Sequence, residues 1–212
     1  MIRKLLAAVL LLAACSQSNA DTADAAAQRH PPRPANAQIA LFAGGCFWSA
    51  ERDVEAIPGV VDAISGFAGG TVRNPSYEQV VRGGTGHVES IQVIYDPARI
   101  SYAQLVRRFL RTIDPTDGGG QYCDRGDNYH TAIFALNAAQ RRDALAAVAE
   151  ANRILRGRVV TPVRGPSAFY PAEAYHQDYA RRNPEAYARY RQGCGKDARL
   201  REVWGAQAAV HS

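Results

Sequence analysis

The chain has 212 residues, of which 47% are hydrophobic and 21% are charged, and its formal net charge is +5 at pH 7. A chain of this length holds one ordinary domain with a leader rather than two full domains. The composition excludes collagen, coiled coils and wholly disordered chains. The arginines are scattered and form no basic stripe with interleaved aromatic residues, so no nucleic-acid partner is expected.

The first twenty residues have the three parts of an export signal. Two basic residues precede a run of ten apolar residues, 5–14, which is too short to cross a bilayer. The run ends in a Leu-Ala-Ala-Cys sequence at Cys15, which resembles the lipobox of bacterial lipoproteins. That resemblance predicts that residues 1–14 are a lipoprotein signal peptide and that lipid is attached to the sulfur of Cys15. The alternative is an ordinary signal peptide that is cut after Ala20.

Both interpretations place the mature protein outside the cytoplasm. Lipidation of Cys15 predicts a protein of the cell envelope that faces the periplasm and is held at the membrane by its lipid alone, because several acyl chains on one residue anchor a protein stably. Cleavage after Ala20 predicts a soluble periplasmic or secreted protein. Residues 15–37 contain three prolines and no apolar periodicity, which is typical of a flexible, Pro-rich tether. The folded domain is expected over residues 38–212.

The first half of the domain alternates strands and helices. A short apolar strand at 38–43 ends at two glycines, and from Cys46 the apolar residues recur every three or four positions, which indicates a helix. A Pro-Gly pair stops this helix. Strands are predicted at 60–67 and 87–95, and Ser101 has the place of a cap for the next helix.

The second half continues the alternation after a long loop. Residues 114–128 are rich in glycine and aspartate, and long loops in compact domains are often functional. The remaining predicted elements are a strand at 131–136, a helix at 138–155 opened by Asn137 and Gln140 as a capping box, a strand at 159–163, and short helices at 171–181 and 184–191. A flexible stretch with Cys194 and a mobile C-terminal tail follow. These elements predict a single-domain, mixed α/β sandwich in which helices cover one sheet.

Cys46 has an unusual local setting among the four cysteines. A strand ends, two glycines let the backbone turn, and a helix begins with this cysteine in its first turn. Free N–H groups and the helix dipole favour a thiolate at such a position, which makes a nucleophile. The alternative is a buried core cysteine that packs as a small hydrophobic residue. The cysteines are widely spaced and form no CxxC pair, so neither a metal site nor a cofactor is expected.

The residues around Cys46 resemble a known active-site motif. Gly44-Gly45-Cys46-Phe47-Trp48 is similar to the motif of the A class of peptide methionine sulfoxide reductases. Further blocks of that family are matched in order by Gly86–Glu89, Tyr95–Pro97, Asp114–Thr116, Asp124–Gly126 with Tyr129, and Phe169–Tyr179. The resemblance covers about residues 39–180 and implies the fold of that class. It also implies the S epimer of the sulfoxide, since the motifs of the unrelated B class are not found.

The resemblance implies a role for each matched residue. Cys46 would attack the sulfoxide sulfur and become a sulfenic acid, and Glu89 would donate the proton that the oxygen needs. Glu89 shares a strand face with apolar residues, and burial there would raise its pKa. The other implied site residues are Tyr77 and Tyr129, which hydrogen-bond the sulfoxide oxygen, Phe47 and Trp48, which hold the S-methyl group, and Asp124 of the loop. The implied substrates are oxidised methionine residues of proteins and free methionine sulfoxide, and a monomer is expected.

The sulfenic acid of Cys46 needs a resolving thiol, and two are available. Cys194 lies between two glycines, which let the chain fold back over a site. Cys123 directly precedes Asp124, where many relatives have no cysteine. We predict that Cys194 resolves, with Cys123 either the alternative resolver or a relay that passes the disulfide to a thioredoxin-like reductant.

Two other functional classes remain open on the sequence. A cysteine hydrolase would pair Cys46 with a histidine base, for which His87, His130 and His176 are available. A non-catalytic surface lipoprotein would bind a partner through an apolar pocket. Pairing of Cys46 with a histidine would favour the first of these, and the absence of any catalytic arrangement would favour the second.

Overall fold

The computed structural model describes residues 33–209. The signal peptide, Cys15 and most of the tether lie outside the described residues, so the predictions of export and lipidation stay predictions. The first strand begins at Gln38. Among residues 33–209, none of the helices combines the length and the apolar character that crossing a bilayer requires.

Within residues 33–209, eight strands form two sheets. In chain order they are β1 (Gln38–Gly44), β2 (Val60–Ala68), β3 (Val88–Tyr95), β4 (Gly120–Gln121), β5 (Asp124–Arg125), β6 (Thr131–Phe134), β7 (Val163–Arg164) and β8 (Phe169–Pro171). Six of them make the main sheet in the order β7-β6-β1-β3-β2-β8, and β4 pairs with β5 in a small hairpin. Only the β6–β7 pair among these is parallel. β3 is therefore a central strand, and its residue Glu89 does not lie at the edge of the sheet.

The described part of the chain also contains seven helices. They are α1 (Phe47–Glu55), α2 (Tyr77–Arg82), α3 (Tyr102–Leu110), α4 (Ala138–Ile154), α5 (Tyr179–Arg182), α6 (Pro184–Gly193) and α7 (Lys196–Trp204), with single 3-10 turns at Asp127–Tyr129 and Gly205–Gln207. Ser101 caps α3 with the reciprocal bonds of a capping box, and Asn137 caps α4 by accepting from the N–H of Gln140. Such caps satisfy N–H groups that a helix start leaves free.

The main core lies between one face of the sheet and the helices. Phe42 of β1 stacks on Phe109 of α3 with 4.4 Å between ring centroids, and both side chains are fully buried. Leu41 and Phe134 belong to a smaller apolar cluster instead, because successive residues of a strand face opposite sides of a sheet. The expected mixed α/β sandwich, with helices covering one sheet, is confirmed.

The segment after α4 differs from the sequence-based expectation. The last strand was expected at 159–163, but β7 occupies Val163–Arg164. The expected helix at 171–181 is replaced by β8, by turns, and by the short α5 from Tyr179. β8 pairs with the end of β2 at Gly66, where a Cβ would lie only 2.3 Å from the carbonyl oxygen of Tyr170. This close strand approach is a tertiary contact that the local pattern does not encode.

The C-terminal region is helical where a flexible stretch and a mobile tail were expected. Cys194 is the C-cap of α6, and α7 follows directly. Leu200 and Trp204, four residues apart on α7, are both buried, and the Trp204 indole donates to the carbonyl of Ile113 at 2.9 Å. Residues four apart lie on one helix face, so this apolar pair docks α7 on the core.

Candidate active site

The turn between β1 and α1 places Cys46 at the start of a helix. Gly45 has φ +79°, a conformation that L side chains rarely adopt, and a Cβ there would lie 2.5 Å from the side chain of Gln121. Cys46 is the N-cap residue of α1, and its carbonyl accepts from the N–H groups of Ser49 and Ala50. Its side chain is buried, with 8% exposure. Glycine is therefore required before the cysteine both by backbone conformation and by space.

The surroundings of Cys46 favour its thiol over its thiolate, which differs from the expectation that the helix start favours the thiolate. Burial raises the pKa of the thiol far above its usual value, and the nearby carboxyl groups of Glu89 and Asp124 raise it further. The N–H of Trp48 and the hydroxyl of Tyr190 lower the pKa of the thiol, but by less than burial and the carboxyl groups raise it. The N–H of Phe47, the first of α1, bonds to Glu89 rather than to sulfur. Desolvation thus outweighs the helix-start effect.

Glu89 lies beside Cys46 on the central strand of the sheet. Its carboxyl is 1% exposed and accepts a hydrogen bond from the N–H of Phe47 at 2.9 Å. Burial raises the pKa of Glu89 to about 8, and this bond only partly offsets the effect. The carboxyl is therefore protonated at neutral pH, as its apolar strand face suggested, and can donate a proton.

Two tyrosines approach the same two groups from different elements. Tyr77 is the first residue of α2, and Tyr129 ends the 3-10 turn Asp127–Tyr129. Burial raises the pKa of both phenols, and the proximity of Glu89 and Cys46 raises it further. Both hydroxyls thus stay protonated and available as donors near the thiol, so the structure brings these four residues together.

The aromatic residues after Cys46 take different positions. Phe47 is 1% exposed and its ring centroid lies 6.4 Å from that of Tyr77, so it serves both the core and the site. Trp48 is half-buried and stacks on Tyr179 at 3.7 Å. Together these rings give the site an apolar wall that suits a methyl group next to sulfur.

The recorded hydrogen bonds and ion pairs of the three candidate histidines go to groups other than Cys46. The Nδ1 of His176 accepts from the Trp48 indole at 3.0 Å, and burial lowers its pKa. His87 accepts from the N–H of Gly70 through Nδ1 and its Nε2 lies 2.7 Å from the carbonyl of Val72. His130 is one-third exposed and faces Asp127. The groups that shift the Cys46 pKa are carboxyl, phenol and backbone groups, so the geometry does not support a cysteine hydrolase.

Asp124 forms the far side of the site together with a residue that the sequence did not single out. Its Oδ2 accepts from the hydroxyl of Tyr190 of α6 at 2.5 Å. The same hydroxyl is within hydrogen-bonding reach of the Cys46 thiol, and the Tyr190 ring meets Trp48 edge-on at 6.1 Å. Tyr190 therefore covers the nucleophile. Tyr190 and Cys194 are four residues apart, which places them on one helix face. This spacing was the sequence signal that could have identified Tyr190 as a site residue.

Cys123 and Cys194 form a disulfide, and Cys46 is the free cysteine of the described residues. The Cα atoms of Cys123 and Cys194 are 4.9 Å apart, although the two residues are separated by 71 positions in the sequence. Cys123 is exposed on the loop that carries Asp124. A thiol pair with a carboxylate could ligate a metal, since the two sulfurs and the Asp124 oxygen lie within 4.8 Å of one another. Joined as a disulfide, however, the sulfurs offer no thiolate.

Comparison with known proteins gives the family. The family model described as peptide methionine sulfoxide reductase matches residues 38–208. The chain belongs to the peptide methionine sulfoxide reductase family. It is 52% identical to "Peptide methionine sulfoxide reductase MsrA 2" of Rhizobium meliloti over 178 residues, which are 84% of this chain and 89% of that protein. It is 45% identical to the protein of the same name from Caulobacter vibrioides, over 79% of this chain and 86% of that one.

Solved structures of A-class reductases share the fold. Methionine sulfoxide reductase A of Corynebacterium diphtheriae has a TM-score of 0.67 at 32% identity, over 71% of this chain and 77% of its own. Reduced Mxr1 of Saccharomyces cerevisiae has a TM-score of 0.68 at 30% identity, over 74% and 92%. The chain is accordingly an enzyme of the peptide-methionine (S)-S-oxide reductase type.

A buried ion cluster holds the C-terminal helices of this reductase against α1. Asp53 is fully buried and lies 2.8 Å from both Lys196 and Arg191, and Arg191 also bonds Asp197 at 2.6 Å. Lys196 is itself 2% exposed. The cluster is not apparent from the local sequence pattern, although position 53 falls seven residues after Cys46 on the inner face of the helix. A carboxylate on the inner face of a helix is rarely buried without a partner. Asp53 was therefore the sequence signal for a buried cation.

Proposed function

We propose that the chain reduces methionine-S-sulfoxide in oxidised proteins, and free methionine sulfoxide as well, through the cysteine chemistry of Cys46. The observation that carries the proposal is the pairing of a buried nucleophile with a carboxyl that is protonated at neutral pH. Glu89 supplies the acid, and its hydrogen bond to Phe47 fixes it beside Cys46. Geometry and protonation state both match what sulfoxide reduction needs.

The first step transfers one oxygen atom. Sulfur of Cys46 attacks the sulfoxide sulfur while Glu89 protonates the oxygen, and the oxygen passes to Cys46. The net reaction converts the thiol and the sulfoxide into a sulfenic acid and methionine. Tyr77 and Tyr129 donate to the oxygen as its charge grows, and Phe47 and Trp48 hold the methyl group. The substrate must displace the Tyr190 hydroxyl to reach Cys46.

The second stage returns Cys46 to a thiol. Cys194 attacks the sulfenic acid, which releases water and leaves a Cys46–Cys194 disulfide. Cys123 then exchanges with it and forms the Cys123–Cys194 disulfide, the pairing that the structure contains. Because Cys123 is exposed, a thioredoxin-like dithiol can reduce this last disulfide from solution. The relay role for Cys123 is therefore favoured over its role as first resolver.

We further propose that this chemistry repairs proteins in the cell envelope. The support is the export signal and the lipobox-like sequence ending at Cys15. The tether that follows would let the domain reach oxidised methionines at a distance from the membrane. The envelope is an oxidising compartment, so a dedicated reductant is needed to keep the enzyme in turnover.

Epimer-resolved assays test the proposal. The purified chain is incubated with the S or the R epimer of N-acetylmethionine sulfoxide and dithiothreitol, and the methionine product is measured. The S epimer alone should be reduced, and Cys46→Ser should abolish product, since no other residue forms the sulfenic acid. Turnover of the R epimer, or activity of Cys46→Ser above background, contradicts the assignment.

The thiol pathway is tested by trapping. Cys123→Ser, treated with an equimolar amount of sulfoxide and no reductant, should stop at a Cys46–Cys194 disulfide that peptide mapping identifies. The unmodified chain should show Cys123–Cys194. A Cys46–Cys123 bridge in Cys194→Ser, combined with undiminished thioredoxin-linked turnover, would instead make Cys123 the resolver.

A further inference from the structure

Two parallel links join α6 to the loop at Cys123 and Asp124. Cys194 is covalently bonded to Cys123, and Tyr190 donates a hydrogen bond to Asp124, the next residue of the loop. Tyr190 and Cys194 are four residues apart, so they project from one face of α6 about 6 Å apart along its axis. The disulfide therefore fixes the position of Tyr190 relative to Asp124 and the site.

The Tyr190 hydroxyl lies beside the sulfur that a sulfoxide must reach. Its proton goes to Asp124, and the hydroxyl is close enough to the Cys46 sulfur to influence the pKa of the thiol. The ring edge lies against Trp48, one wall of the methyl pocket. With Tyr190 in place, the Cys46 side chain is only 8% exposed. A sulfoxide that approaches the sulfur past Trp48 meets Tyr190.

Closure at this point of the cycle has a chemical consequence. After the disulfide has passed to Cys123 and Cys194, Cys46 is again a thiol and could take oxygen from a second sulfoxide. That reaction gives a second methionine and a sulfenic acid on Cys46, but both thiols that could resolve it are already oxidised. Such a sulfenic acid persists and is open to further, irreversible oxidation by peroxide.

We infer that Tyr190 is a gate that the Cys123–Cys194 disulfide holds closed over Cys46. The oxidised enzyme therefore does not react with a second sulfoxide until a reductant has cleaved this disulfide. The inference rests on the proposed function. Reduction cuts the covalent link and leaves the ion pairs of Arg191 and Lys196 with Asp53. These keep the helices α6 and α7 folded on the domain while Tyr190 becomes free to swing aside.

Counting methionine per chain tests the gate. The fully reduced full-length chain is freed of reductant and mixed with excess methionine-S-sulfoxide. The unaltered chain should release one methionine rapidly and a second at least about tenfold more slowly, the rate change expected when the hydrogen bonds of a buried group must first break. Tyr190→Ala should release both rapidly. Tyr190→Phe, which keeps the ring and loses the hydroxyl with its bond to Asp124, should release the second methionine faster than the unaltered chain and more slowly than Tyr190→Ala.

A neighbouring variant controls for general effects on α6. Arg189→Ala removes a side chain on the same helix that is 74% exposed, and it should behave as the unaltered chain does. A rapid second methionine from the unaltered chain would overturn the gate, and so would a Tyr190→Ala chain that stops after the first. Absence of the first methionine would contradict the proposed function instead, so the two failures are distinguishable.

Alkylation of Cys46 gives an independent reading. The unaltered chain in its Cys123–Cys194 form is treated with iodoacetamide, and peptide mapping measures the label on Cys46 separately from that on Cys15. Labelling should be slow, should accelerate in Tyr190→Ala with the disulfide intact, and should remain slow in Arg189→Ala. Equal labelling rates in the unaltered and Tyr190→Ala chains would show that Tyr190 does not cover the thiol.

Discussion

Burial keeps both Cys46 and Glu89 protonated, and this has opposite consequences for the two residues. The protonated carboxyl of Glu89 is the form that donates, whereas the protonated thiol of Cys46 is the form that attacks poorly. Proton transfer away from Cys46 must therefore accompany substrate entry.

Replacing the acid tests its role directly. Glu89→Gln should lower the rate of methionine formation by about 10²–10⁴-fold, the usual effect of a positioned proton donor, while the Gln oxygen still accepts from the N–H of Phe47. Glu51→Gln is the matched control, because Glu51 is also buried with a pKa raised to about 9 but bonds the N–H of Asp178. A loss for Glu89→Gln no larger than that for Glu51→Gln would place the acid elsewhere.

The raised pKa of Glu89 also predicts how stability depends on pH. Its folded value of about 8 lies above the ordinary carboxyl value of 4.5, so its contribution to stability is fully present below the unfolded pKa and is lost as the pH rises through about 8. Glu89→Gln does not titrate. Urea midpoints of the variant and the parent should therefore diverge between pH 5 and pH 9, with the variant increasingly the more stable. Parallel profiles would show that Glu89 is not buried as a neutral acid.

At the scale of elements, the Asp53 carboxylate connects both α6 and α7 to α1. Asp53 of α1 reaches Arg191 at the end of α6 and Lys196 at the start of α7. Both cations are largely withdrawn from water, with side-chain exposures of 11% and 2%. Since a buried charge without a partner is costly, the two helices are held in the orientation that places Tyr190 and Cys194.

Removing the Asp53 carboxylate should destabilise the packing of α6 and α7 on α1. Asp53→Asn leaves two poorly solvated cations and should lower the free energy of unfolding by about 3–5 kcal/mol. Glu185→Gln removes the exposed pair with Arg189 on α6 and should change it by at most about 0.5 kcal/mol. Urea denaturation under non-reducing conditions measures both. Equal values for the two variants would contradict a structural role for Asp53.

At the scale of the molecule, the disulfide joins the C-terminal helices to the central loop. It closes a segment of 71 residues, and crosslinks of this length restrict the unfolded chain. The enzyme therefore passes through states of different stability in each turnover. We expect the reduced state to be less constrained, which suits the proposed approach of Cys194 to Cys46.

Redox state should therefore change the unfolding midpoint. Dithiothreitol should lower the stability of the parent chain by about 2–4 kcal/mol, measured by urea denaturation with and without reductant. Cys194→Ser lacks the crosslink and should give the same midpoint under both conditions. A parent chain whose midpoint is insensitive to dithiothreitol would show that the disulfide does not constrain the fold.

The leader makes a separate prediction about location. Cys15→Ala should abolish labelling of the protein by radioactive palmitate and should leave either an uncleaved precursor or a soluble periplasmic form. The same change at Cys123, which is exposed on the domain surface, should leave the labelling intact. Persistent labelling of Cys15→Ala would contradict lipid attachment at Cys15.

The sequence by itself determined the parts of this reductase that depend on neighbouring residues. The turn of Gly44 and Gly45 before Cys46, the caps at Ser101 and Asn137 and the alternation that buries Glu89 are local patterns, and each has its expected place. The family motifs supplied the roles of Tyr77 and Tyr129, which no spacing marks out.

Only the tertiary structure decided how the C-terminal segment sits on the site. The partners of Asp53, the edge strand β8 and the contact of Tyr190 with Cys46 and Asp124 join residues that are far apart in sequence. The protonation of Cys46 was also decided there, because desolvation depends on everything packed around a group and not on its place in a helix. Local sequence encodes the conformation of the backbone, whereas burial and pairing exist only once the chain has folded.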